Sequence, residues 1–64
     1  MVTQLRLHRL FSGLKAIEVA RRAGISPTLL SRVERGQVRP SLRVRRRLSR
    51  VLRVPEQTLF GDFP

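Results

Sequence analysis

Thr28, Ser31, Arg32 and Arg35 gather two hydroxyls and two guanidiniums within eight residues. The chemistry they share is hydrogen-bond donation to negatively charged, oxygen-rich groups. A guanidinium donates in a fixed fork that matches either phosphate oxygens or the O6 and N7 edge of guanine. The same bias runs through the chain: fourteen Lys and Arg stand against four Asp and Glu in 64 residues, a net charge of +10, and Lys15 is the only lysine. Such an excess on so small a body makes a polyanion the default partner. The preference for Arg over Lys suits bidentate phosphate binding, and a GC-rich genome would produce it equally well.

Other chemistry is poorly supplied. There is no Cys, and His8 is the only histidine, so disulfides, thiolate sites and multi-histidine metal sites are excluded. His8 reads as an ordinary first-helix side chain. No nucleophile–base pair, carboxylate dyad or glycine-rich phosphate loop is present, so catalysis has no residues to carry it and no cofactor is implied. No apolar run approaches the roughly 20 residues needed to span a bilayer, and the N-terminus lacks a signal-peptide pattern. A cytoplasmic protein is expected.

The elements that must position these donors are short. A chain near this length buries only roughly 60% of its unfolded surface, yet 41% hydrophobic residues place it among globular sequences. One domain over residues 1–64 is expected, with helices around a single core. Gly13, Gly24, Gly36, Pro40 and Pro55 divide the chain into five pieces, each reading as helix. Val2 to Phe11 carries Val2, Leu5 and His8 on one face and Leu7, Leu10, Phe11 and Leu14 toward another. Ala16 to Ala23 offers Ile17, Val19, Ala20 and Ala23, with Gly24 at a left-handed C-terminus. Ser26-Pro27 supplies a capping oxygen followed by a proline with no N–H to lose, so a helix starts at Pro27 and buries Leu30 and Val33. Ser41 caps a fourth helix to about Leu52, with Leu42, Leu48, Val51 and Leu52 inward. Pro55 opens a fifth with Leu59 and Phe60. No strand pattern survives this division.

Two helices joined across Ala23-Gly24-Ile25-Ser26 form a helix-turn-helix arrangement, whose second helix enters the DNA major groove. Ala20 permits a close crossing, Gly24 takes a turn conformation that a Cβ resists, and Ile25 plugs the space beneath. At these residues the chain resembles the Xre/Cro-repressor-like helix-turn-helix proteins. The matching stretches are Gly13-Leu14, Ala20, Ala23-Gly24-Ile25-Ser26, Leu30-Ser31-Arg32-Val33-Glu34-Arg35-Gly36 and Pro40-Ser41-Leu42, with Val54 and Leu59-Phe60 resembling the family's end. The resemblance runs from about Leu5 to Phe60, with the motif at about 16–35. It implies an all-α, compact five-helix helix-turn-helix domain of phage-repressor type that binds double-stranded DNA and regulates transcription.

Carried onto this chain, the resemblance places base reading on Pro27, Thr28, Leu29 and Arg32. Arg32 bridges guanine or holds a phosphate; Thr28 offers its methyl to thymine or its hydroxyl to phosphate; Pro27 touches only apolar groups. Phosphate contacts fall to Lys15, Ala16, Ser31, Arg35, Gln37, Arg39 and Arg43. Ala16 departs from the family's usual Gln, leaving a backbone N–H for phosphate, with Lys15 nearby to compensate. Arg9 and Glu34 match a structural ion pair of some members. Arg45 stands where the family buries a Leu, so its stem snorkels outward or Val44 takes over the burial. Arg53 stands where the family has Gly after the fourth helix, where a left-handed backbone costs a non-glycine residue about 1 kcal/mol.

One recognition helix reads only a few base pairs, so a homodimer on DNA is expected, although +10 on each copy opposes association in its absence. Leu59, Phe60 and Phe63 are the first candidates for the dimer contact, and the face of Leu7, Leu10 and Phe11 is the second. That face also suits the competing reading, in which the same fold serves as an antitoxin or assembly module bound to another protein.

Overall fold

A computed structural model describes residues 3–61. It is all-α, with five helices: α1 Gln4–Ser12, α2 Ala16–Ala23, α3 Pro27–Glu34, α4 Leu42–Leu52 and α5 Glu56–Phe60. No strand occurs among the described residues. Three of the starts are fixed by side chains that accept an otherwise unpaired backbone N–H. Thr3 accepts from Arg6 N at 3.2 Å, Ser26 from Leu29 N at 3.0 Å and Ser41 from Val44 N at 3.3 Å. Each such cap stabilises its helix by typically about 1 kcal/mol. The cap at Thr3 starts α1 two residues later than the apolar spacing suggests; Val2 and Phe63 lie outside the described residues.

The helices pack as two pairs joined through α4. The motif helices α2 and α3 pack on each other, α1 packs on α5, and α4 runs between the pairs, touching α2, α1 and α5. Ten apolar residues form the core: Leu5, Val19, Ala20, Ala23, Leu30, Val33, Leu48, Leu52, Leu59 and Phe60. Leu14, Ala16, Ile25, Leu29, Val44, Val51 and Val54 pack half-buried around it.

Several sequence expectations are corrected here. Leu42, read as an inner position, is 64% exposed, because it follows the Ser41 cap directly and the helix meets the core only with its later turns. Ile17 is also exposed, since the stripe Ala16, Val19, Ala20, Ala23 faces inward and Ile17 lies beside it. Leu59 and Phe60, expected at a contact between copies, are core residues at 2% and 4% exposure. A five-residue α5 has one face to bury, and the small core takes it.

At the end of α4, Arg53 adopts φ 57°, ψ 41°, the left-handed region where other families of side chain are rare. It is the one non-glycine residue with positive φ among those described. The turn is held by Val54 N donating to Ser49 O at 3.1 Å and by the Ser49 hydroxyl donating to Val54 O at 2.5 Å. Of the two readings of the Arg45 position, the one that gives burial to Val44 holds, since Val44 packs half-buried on the core; Arg45 does not snorkel outward but lays its guanidinium 5.5 Å from the centroid of the buried Phe60 ring, with its Nε buried. That cation–π contact lets a charge occupy a site suited to an apolar side chain.

Candidate nucleic-acid interface

The interface begins with the turn that aims α3. Gly24, at φ 70° and ψ 31°, donates to Ala20 O and Arg21 O, and Ile25 N reaches Ala20 O at 3.0 Å. This closes α2 with paired reversed hydrogen bonds and redirects the chain within three residues. Ser26 and Pro27 then restart it as α3.

Along α3 the burial alternates with the helical period. Leu30, Val33 and Glu34 are buried, while Pro27, Thr28, Arg32 and Arg35 are exposed and Ser31 is half-buried. The residues read as recognition positions therefore share an outward face, supported beneath by two aliphatic side chains. Leu29 differs: it is half-buried and packed against the core, which leaves Pro27, Thr28 and Arg32 as the exposed candidates among the four.

The C-terminal end of α3 is gripped by α1. Arg9 Nε donates to Glu34 Oε2 at 2.6 Å and Arg9 Nη2 donates to Glu34 Oε1 at 3.1 Å, a two-pronged pair with 13% and 7% side-chain exposure. Arg9 Nη1 also donates to Leu14 O at 3.2 Å, so one guanidinium ties α1, the loop before α2 and α3 together. The Thr3 hydroxyl adds a bond to Glu34 O at 2.6 Å. Thr3 is a positioning residue that the sequence reading missed. Its signal was available only as a helix cap, because its distant partner is a backbone carbonyl.

The phosphate candidates surround this face. Lys15 caps α2 without a side-chain hydrogen bond, unlike the caps of α1, α3 and α4, so no capping side chain takes the first N–H groups of α2, where the helix dipole has its positive end. Lys15, Arg35, Gln37, Arg39 and Arg43 are exposed, and Ala16 is half-buried. The loop carrying Gln37 and Arg39 is fixed at one end by Gln37 N donating to Arg32 O at 2.9 Å and at the other by buried Pro40. The assembly joins an exposed reading face, a rigid mount and a rim of cations. Among the described residues no helix is long and apolar enough to cross a membrane.

A known family, described as a helix-turn-helix domain, matches residues 1–59 of the chain. No curated protein and no solved structure matches it significantly.

Proposed function

The chain belongs to the helix-turn-helix domain family, and from that premise we propose that it is a sequence-specific regulator of transcription, a repressor of the Xre/Cro type. In this reading α3 lies in the major groove of double-stranded DNA, with Arg32 and Thr28 on base edges and Pro27 against apolar groups. Lys15, the N–H groups at Ala16, Ser31, Arg35, Gln37, Arg39 and Arg43 take the flanking phosphates, which set register while the bases set specificity. The protein acts by binding, in the cytoplasm of a bacterium, and occupies a site that polymerase or another factor needs.

The observation that carries the reading is the exposed face of α3 mounted on a buried ion pair. Direct readout needs side chains held to a fixed position over a base edge, and each good bidentate contact discriminates by about 1–3 kcal/mol. The test is selection of bound sequences from random duplex DNA by the purified chain. The expected winners share a motif in two half-sites about one helical turn apart; winners without a common sequence overturn the proposal.

The second copy needs a contact. With Leu59 and Phe60 buried, the described residues offer the α1 ridge of Leu7, Leu10 and Phe11, at 36%, 55% and 78% exposure. We assign the homodimer to that ridge, closed only when DNA phosphates offset the charge of each copy. Sedimentation of wild type and Leu10→Ser with the selected duplex tests it; one copy per site in the wild type excludes the dimer. The competing reading, an antitoxin or assembly module, would use the same ridge, and a co-purifying partner protein lost with Leu10→Ser is the result that would support it.

A further inference from the structure

We propose that the groove between the last turn of α2 and the outer side of α4 is an anion site for phosphate groups, with Arg22, Arg47 and Arg50 as its ligands. The groove is a shallow, open depression of about 350 Å³ lined by these three with Ala23, Gly24 and Val51. No residue of α3 lines it, so it lies apart from the reading face described above.

Arg47 is held in place. Its Nη1 donates to Ala23 O at 3.4 Å and lies against Gly24, whose φ of 70° is what calls for glycine there. A guanidinium carries five N–H donors, so this bond leaves most of the fork for a ligand. It also covers a carbonyl at the negative end of the α2 dipole, which would otherwise repel an anion. Arg22 and Arg50 are exposed and make no ion pair among the described residues. No carboxylate lines the groove, and Glu34 is already held by Arg9.

Three like charges on one concave surface repel each other until an anion joins them. A carboxylate supplies one negative charge, whereas a phosphate monoester or pyrophosphate supplies two or more in oxygens that match the guanidinium fork. Neighbouring phosphodiesters of a DNA strand offer the same chemistry spread along a line. The ligand is therefore a phosphate group, borne either by a free compound or by a nucleic-acid backbone.

The probe is inorganic pyrophosphate, titrated into the intact chain while the arginine Nε–Hε signals are followed by NMR. The signals of Arg22, Arg47 and Arg50 are expected to move first and to saturate. The Arg22→Gln/Arg50→Gln double variant is expected to lower pyrophosphate affinity by at least about tenfold, since each substitution removes charge-assisted hydrogen bonds. Arg6→Gln, at an exposed arginine of α1 to which no phosphate is assigned, is expected to leave it within about twofold. Arg22 and Arg50 are exposed, so an unchanged amide spectrum and melting temperature confirm that the double variant folds. If all guanidinium signals move alike and the double variant binds like the wild type, the proposal fails. No DNA enters this titration, so its outcome is independent of what α3 reads. A second arm identifies the source. If the log–log salt slope of duplex binding falls by about 2 in the double variant, at roughly 0.9 per phosphate, the anion is the DNA backbone. If the slope is unchanged while pyrophosphate binding is lost, the site takes a free phosphate compound.

Discussion

α3 and α4 both start at a serine cap, yet they hold their charges in opposite ways. In α3 a single arginine, Arg32, faces outward from eight residues, three of which are buried, and the helix end is clamped through Glu34 by Arg9 and Thr3. In α4 five arginines crowd eleven residues, with only Leu48 and Leu52 buried. What is positioned in α3 is the helix that carries Arg32, whereas α4 is not clamped, and of its five arginines Arg45 and Arg47 make contacts of their own. Recognising a base edge depends on where a donor stands, whereas attracting a polyanion depends on how much charge the body carries. On the proposed reading, the clamp on α3 would serve the first task and the net charge the second.

The sharpest way to break this contrast is to free α3. Arg9→Ala strips the partner from a buried carboxylate and is expected to cost about 3–5 kcal/mol. In a domain of this size that lowers the melting temperature by well over about 10 °C. Arg9→Lys recovers only part, since an ammonium cannot make both prongs. A calorimetric loss under about 1 kcal/mol would mean that the pair behaves like a surface ion pair and that α3 is mounted by its aliphatic side chains alone.

The charge side is tested by salt. Lys15, Arg35, Arg39 and Arg43 on four phosphates give, per bound copy, a slope near −3.6 in log affinity against log salt, a loss on the order of 100-fold between 50 and 200 mM. Titration at several salt concentrations measures it, and a flat line would remove phosphate tracking from the mechanism. Next in size is the contrast within the site itself. Arg32→Ala is expected to relax discrimination at one base pair by about 1–3 kcal/mol, while Arg39→Ala weakens all duplexes alike. Competition against single-position variants of the selected sequence separates them; uniform weakening by both would make Arg32 a phosphate ligand and leave base reading to Thr28. The smallest effect belongs to the end of α4. Arg53→Gly is expected to stabilise the fold by about 0.5–1 kcal/mol, once the chain entropy glycine loses is set against the relieved left-handed strain. Thermal unfolding would show it as a rise of a few degrees, roughly 2–8 °C; a fall would mean that the Arg53 side chain makes a compensating contact.

Much of this arrangement was legible in the residues because it is local. A serine before a proline starts α3, another serine starts α4, and a glycine between two short apolar stripes makes the turn. Each of these devices acts within three or four positions. What could not be read are choices made between elements. In a helix as short as α2, Ile17 and Ala16 compete for the same stripe, and the packing of α3 and α4 decides for Ala16. Phe60 looked like surface until α1 and α4 enclosed α5, with Arg45 against its ring. Thr3 gave no hint of reaching Glu34, because a carbonyl has no signature in a sequence.

The clamp on α3 also has a place in time. The Thr3 and Arg9 bonds to Glu34 join residues 31 and 25 positions apart, whereas every cap and the turn itself close within a few residues. Contacts so distant in the chain carry the larger loop-closure cost, so the clamp is expected to form late, and interactions absent from the transition state govern the unfolding rate rather than the folding rate. In a chevron plot, removing the clamp should raise the unfolding arm and leave the refolding arm nearly in place. That outcome would make the ion pair at the end of α3 a latch, setting how long the helix stays seated once the protein has folded.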